Sequence, residues 1–343
     1  MGKSAIAFLV FIFLVTMTNP NAQAQTNSCS ISFSIGPWCT PFCLVNTPPT
    51  TTCDNPCVFF CSCRYKTNAC PPLAAPAETG CKSCSRPVAG QPIDLATGDT
   101  YIVQTDITLP GLGGGLELTR VWNSIWPPTQ TGTISFMFGP NWTSTYQERV
   151  FIGNDGYVKY ARNDGNFWSF GVTATGSAIT YGSAAPANAG ATLTSGPTNW
   201  TLTFKDGEKR LFDNASGHLT AIMDRNGNTT QLAYDSLNRL ATVTDPASRH
   251  LNFTYLSSSS SLVSQVTTDF GVTLSYSYDA QGRLTQVTRP DNTTLAFQYD
   301  ANSNITAVLD SAGKVLESHT YDSAGRGLST SRANGVEGAT ITY

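Results

Sequence analysis

The sequence predicts an all-β chain built of repeated β-hairpins in units of about 22 residues, joined into an extended sheet and preceded by a small disulfide-rich module. Three observations predict it. An aromatic followed by Asp recurs at Phe212-Asp213, Tyr234-Asp235, Tyr278-Asp279, Tyr299-Asp300 and Tyr321-Asp322, with a degenerate copy at Tyr255-Leu256. A fixed period in this range marks stacked units, none of which can bury its apolar face alone. Turn residues then fall about ten apart within a unit, as at Gly217 and Gly227 or Gly282 and Asn292, which leaves strands of roughly 5 to 6 residues and no room for a packed helix. Finally, the strands alternate with period two: Leu251-Phe253-Tyr255, Leu274-Tyr276-Tyr278 and Leu295-Phe297-Tyr299 put apolar side chains on one face and Thr, Ser, Asn, Ala or Gln on the other.

Taken in order, residues 1–24 read as a signal peptide. Lys3 supplies the positive start, Ala5 to Thr16 a short apolar core, and Ala22-Gln23-Ala24 a cleavage site before Gln25. The apolar run is too short for a membrane span, and Thr26 stands where a lipoprotein signal ending at Cys29 would need Leu. Residues 25–86 form a Cys-rich module that holds all ten cysteines, from Cys29 to Cys84. In an exported chain an even, crowded set reads first as a disulfide framework whose pairing the sequence leaves open. Zinc is the rival, because Cys81 and Cys84, and Cys53 and Cys57, have ligand spacing; no His falls in this segment.

Residues 87–204 read as a β-rich cap. Short runs at Thr133 to Phe138 and Tyr157 to Tyr160 are separated by Gly139-Pro140, Asp155-Gly156 and Asp164-Gly165, which are hairpin turns. Ala174 to Asn199, rich in Gly, Ala, Ser and Thr, is expected to loop at the surface, and Trp200-Leu202-Phe204 resumes the alternation. Residues 205–343 are the hairpin array, with Ser257 to Ser261 as a polar insertion at one turn. The last strand, Thr340 to Tyr343, arrives where the next unit would begin, so the array is expected to be incomplete and to present an unpaired edge.

Composition narrows the function. A net charge of −3 with Lys and Arg scattered singly offers no phosphate-tracking surface, which argues against a nucleic-acid partner. Charged residues make up only 13%, while Gly and aromatics are plentiful; this favours an extracellular β protein over a disordered one.

Candidate sites resolve into turns. Asp224-Arg225-Asn226-Gly227-Asn228 opens like a calcium loop, but Thr229 stands where such a loop requires Gly, and Asn226-Gly227 between apolar strands is a hairpin signal. Gly111 to Gly115 lacks the spacing of a phosphate loop and leads into the strand-like Leu116-Glu117-Leu118. His218, His250 and His319 fall at different phases of the repeat, so they are expected as surface or edge residues and not as a converging set. The repeated Asp before each turn fits hydrogen bonding to its own turn backbone, and the repeated Tyr fits a core position with its hydroxyl at the edge. No catalytic, cofactor-binding or metal-binding residues are assigned, no cofactor is expected, and the chain is not read as an enzyme.

The phrases YDSLNRLATVTDP, YDAQGRLTQVTRPDNTT and YDANSNITAVLDSAGK resemble the YD repeats of the RHS superfamily of polymorphic toxins, Tc-toxin shells and teneurins. Gly90 to Ser124 is similar to the segment with which RHS cores open, and Lys205 to Asp235 to the entry into the repeats. The resemblance implies a sheet winding into a spiral or partial shell. It implies a non-catalytic exported scaffold, secreted or at the cell surface, whose partners are a C-terminal toxin cargo or the remainder of the shell. The family's self-cleaving closing core and toxin have no counterpart in these residues. An adhesive module binding surface glycans is the alternative, since exposed rings stack on sugars.

Overall fold

The computed structural model describes residues 88–90, 92–126, 136–332 and 335–343. The signal segment 1–24 and all ten cysteines lie outside the described residues. The chain is all-β in two layers. The inner layer starts with a two-residue ladder, β1 (Val88–Ala89) on β2 (Ile93–Asp94), and continues as a three-stranded antiparallel sheet of β3 (Tyr101–Leu109), β4 (Leu116–Asn123) and β5 (Trp142–Ser144). The outer layer is one long antiparallel sheet running from β6 (Arg149–Ile152) to β24 (Val336–Thr340), in which each strand pairs with the next in sequence.

That outer sheet crosses the start of the repeats without interruption. β11 (Asn199–Phe204) pairs with β12 (Lys209–Asp213), placing Trp200 opposite Phe212. Upstream of it, residues 174–199 were expected as surface loops; they hold β9 (Ile179–Ala185) and β10 (Ala191–Ser195). The small residues there hide the alternation, but Tyr181 and Leu193 are fully buried and carry it. The segment around Thr133 to Phe138, expected as a strand, is described only from Phe136, and Met137 and Phe138 lie in a turn.

The curvature of the sheet has a local cause. The register slips at each repeat aromatic, between Leu211 and Phe212, Ala233 and Tyr234, Thr254 and Tyr255, Ser277 and Tyr278, Gln298 and Tyr299, and Thr320 and Tyr321, with further slips between Val308 and Leu309 and between Thr330 and Arg332. Each slip is a bulge, which bends a strand and increases its twist. The sheet therefore rolls. Tyr160, on β7 (Val158–Ala161), lies 6.0 Å from the ring of Phe212 on β12. Five strand spacings in a flat sheet would separate them by about 24 Å.

The rolled sheet closes on the inner layer. Trp142 meets Phe297 at 5.2 Å, Phe138 meets Tyr276 at 4.9 Å and Trp122 meets Tyr321 at 6.2 Å. Trp122, Trp142, Trp168 and Phe212 are fully buried, and one apolar cluster runs through both layers. Backbone bonds stitch them as well, from Val263 N–H to the Met137 carbonyl at 2.8 Å and from Gly327 N–H to the Gly98 carbonyl at 2.9 Å.

Candidate functional site

Three residue types repeat in the array, and each is consumed by a bond to a neighbouring strand or turn. The Tyr hydroxyl, expected at the edge, reaches back about fifteen residues to a strand carbonyl. Tyr234 donates to Leu219, Tyr255 to Leu240, Tyr278 to Val263, Tyr299 to Leu284 and Tyr321 to Ile305, each at 2.7 Å. The rings are half-buried and pack on the core, and burial pushes the Tyr299 hydroxyl up to about 12.

The following Asp closes its own turn, as its position implies. Asp279 accepts the N–H groups of Gln281 and Arg283 at 3.0 and 2.9 Å and the Arg283 guanidinium at 2.6 Å; Asp235 with Arg239 and Asp322 with Arg326 repeat this. Desolvation pushes the Asp279 pKa up, but the bonds from Arg283 outweigh it and hold the carboxyl below its ordinary value. The Arg in turn lies over the next repeat Tyr: Arg239 over Tyr255 at 4.2 Å, Arg283 over Tyr299 at 4.9 Å and Arg326 over Tyr343 at 4.3 Å. Asp224 forms the same turn, accepting from Asn226 and Asn228 backbone N–H groups at 2.8 and 2.9 Å, so the calcium-like phrase is a hairpin turn.

A second constellation joins the layers, and no sequence motif pointed to it. Arg120, fully buried on β4, makes a two-pronged pair with Asp106 on β3 at 2.5 and 2.9 Å. The Tyr276 hydroxyl donates to the same carboxylate at 2.9 Å, from β18 (Thr273–Tyr278) of the array. Three rings enclose the guanidinium: Trp142 at 4.7 Å, Tyr276 at 5.4 Å and Phe138 at 5.5 Å. Burial works against the Arg120 charge, but the adjacent Asp106 more than offsets it and raises its pKa. Burial also pushes Tyr276 well above its ordinary value, with the Asp106 charge adding to it, so the phenol stays a donor. The available signal was Arg120 standing in the inward register of Leu116, Leu118 and Trp122. The Gly111 to Gly115 loop also binds the array, since Arg249 donates to the Leu109 and Pro110 carbonyls at 3.4 and 3.1 Å. A side chain at Gly115 would meet the Leu109 carbonyl at 2.1 Å, and its φ of +75° suits Gly alone.

The histidines stay apart. His250 meets Asp269 at 2.7 Å at the surface, and His218 lies half-buried against Tyr234 with ring centroids 5.0 Å apart. His319, expected at the surface, is buried, with Glu317 3.7 Å from its Nε2; it occupies an inward position of β22 (Val315–Tyr321), which its polarity had concealed. Lys159 contacts the Ser169 hydroxyl but is held by the Asp155 carboxylate at 2.9 Å. Among the described residues no group of three or more His, Cys, Asp or Glu could hold a metal ion, and no helix is long and apolar enough to cross a membrane.

Comparison with known proteins gives two profile matches: a domain of unknown function, DUF6531, over residues 90–170, and the RHS Repeat over residues 214–250 and 260–294. Among curated relatives, the tRNA3(Ser)-specific nuclease WapA of Bacillus spizizenii is 29% identical over 145 residues, and the tRNA nuclease WapA of Bacillus subtilis strain 168 is 28% identical over 145 residues. Each match covers 42% of this chain and 6% of the relative's length. Among solved structures, the Photorhabdus luminescens Tc holotoxin pore matches 71% of this chain and 14% of its own at 15% identity, with a TM-score of 0.28. The RHS Repeat profile falls on the strands in which Tyr, Asp and Arg are wired from unit to unit, so residues 214–250 and 260–294 carry RHS repeats.

Proposed function

We propose that this chain is an exported, non-catalytic scaffold: a segment of an RHS-type shell, with the inner sheet 88–146 seated in the array and a toxin cargo or further shell as its partner. One observation carries the reading. The repeated Tyr, Asp and Arg side chains, the array's richest source of chemistry, are spent on carbonyls, turn N–H groups and one another. The division into a signal peptide (1–24), a disulfide module (25–86), a cap (87–204) and an array (205–343) belongs to the same proposal, as does secretion or surface display. The WapA relatives are named as tRNA nucleases, and the matched segment is 6% of their length; the proposal assigns no such activity to this segment. Incubating purified mature chain with total tRNA tests it: intact tRNA is expected, and turnover that survives purification to homogeneity would refute the scaffold.

A second reading draws on the outer face. Thr254, Gln265, Ser275, Thr288 and Thr294 stand opposite one another in a single row across five strands, all uncharged and able to hydrogen-bond. Such a row favours a glycan-binding surface module. Saturable binding on a glycan array would select it, and the scaffold predicts none.

A further inference from the structure

The roll of the outer sheet brings β6 against the turn that precedes β13 (Leu219–Met223), and this seam is built unlike the other repeat turns. Val150 N–H donates to the Gly217 carbonyl at 3.0 Å, Arg149 Nε donates to the Ser216 carbonyl at 3.0 Å, and Arg149 bridges to His218. The approach is close: a side chain at Gly217 would meet the Val150 carbonyl at 2.0 Å.

His218 holds a telling position. In three of the units that follow, the residue just before Leu240, Leu284 or Gly327 is Arg239, Arg283 or Arg326, bonded to its turn Asp and stacked on the next Tyr, while Asn304 takes that place on Asp300. His218, just before Leu219, stacks on Tyr234 in the same way. It lacks the carboxylate partner. Asp213 Oδ1 accepts from the Ala215 and Ser216 N–H groups and the Ser216 hydroxyl, and the buried Nδ1 of His218 has no hydrogen-bond partner among the described residues. A titratable ring thus stands where those three turns have a permanent cation, and it faces the Arg149 cation from β6.

We propose that His218 makes this seam acid-sensitive: its imidazole, to which no carboxylate of the described residues is bonded, faces the Arg149 guanidinium, and a proton on that ring drives β6 away from the first repeat turn. The groups that face the ring are few. Arg149 comes from β6, Asp213 from the same turn and Tyr234 from β14 (Thr229–Tyr234), while nearby Glu148 is held by Arg210 at 3.0 Å. Burial first, then the Arg149 charge, lowers the His218 pKa from 6.5 to about 4, with Asp213 opposing. Because the closed-seam value lies below the open one, closure is undiminished above pH 6.5 and weakens as pH falls toward 4. Asp213, held below the ordinary carboxylate range chiefly by the Ser216 N–H, stays ionised over that window and does not contribute.

Those two values imply that the open fraction of the seam rises about 30-fold between pH 7.5 and 5.0. Hydrogen exchange at the Val150 amide of the full mature chain, corrected for the intrinsic pH dependence of exchange, reads it directly. A rise of that order is expected, with the amides of β18 unchanged, and His218→Gln is expected to abolish the pH dependence. A flat profile at Val150, or an equal rise in H218Q, would overturn the proposal. Should H218Q fail to fold, the ring carbon resonances of His218 in the unaltered chain decide: a midpoint near 4 sustains the latch, and one at or above 6.5 sinks it.

Discussion

Replacing Arg120 with Met gives the sharpest test of how the inner sheet is held. Met fills much of the space between Trp142, Phe138 and Tyr276 but leaves the Asp106 carboxylate, whose side chain is 4% exposed, with the Tyr276 hydroxyl as its remaining side-chain donor. Breaking a buried pair by removing one partner costs about 3–5 kcal/mol, because the uncompensated charge stays in a low-dielectric site. Removing both charges is different, since apolar replacements of a buried pair are often neutral or stabilising. Arg120→Met should therefore lose about 3–5 kcal/mol, and Asp106→Leu combined with Arg120→Met should recover most of it. Urea unfolding followed by tryptophan fluorescence suits the measurement, because Trp142 lies 4.7 Å from the guanidinium and reports on that joint. If the single variant lost less than about 1 kcal/mol, or the double variant were no more stable than the single, the pair would not be the buried lock its geometry describes.

The array makes two further predictions. Tyr278→Phe keeps the ring and removes the bond to the Val263 carbonyl, so it should cost about 1 kcal/mol by thermal or urea unfolding, against about 3 kcal/mol or more for Tyr278→Ala. The turn carboxylates set an acid limb separate from that of His218: Asp235, Asp279 and Asp322 have pKa values depressed below 3.8, so their stabilisation is present above that value and is lost as pH falls through their folded pKa values. Acid unfolding monitored by circular dichroism should steepen below about pH 4, and Asp279→Ala should weaken that limb.

Much of the array was legible because period two and the turn residues are local signals. Leu274, Tyr276 and Tyr278 had to share a face, and Asp279 before a turn had to bond its own backbone. What lay beyond sight was long-range. Asp106 and Tyr276 are 170 residues apart, and nothing in either strand alone says that a third residue, Arg120, sits between them. The small residues of β9 and β10 read as loop because Gly, Ala and Ser carry little apolar contrast; Tyr181 and Leu193 were the sparse clue. His319 was misplaced for the opposite reason, a polar residue in an inward register. The stacking of Arg239 on Tyr255 was present in the spacing, but only geometry shows that one unit's turn covers the next unit's ring.

The bulge at each repeat aromatic has a bearing on how such a chain can change in length. Because one slip sits at the same place in each of these units, bending is metered out one unit at a time. Duplicating or deleting a whole unit would lengthen or shorten the arc and leave its radius alone, whereas gaining a residue within a strand would turn the inward row outward. The serine-rich insertion at 257–261 obeys that rule: it lies in a turn, and Arg239 takes up the added loop through the Ser257 and Ser260 carbonyls at 3.1 and 2.7 Å.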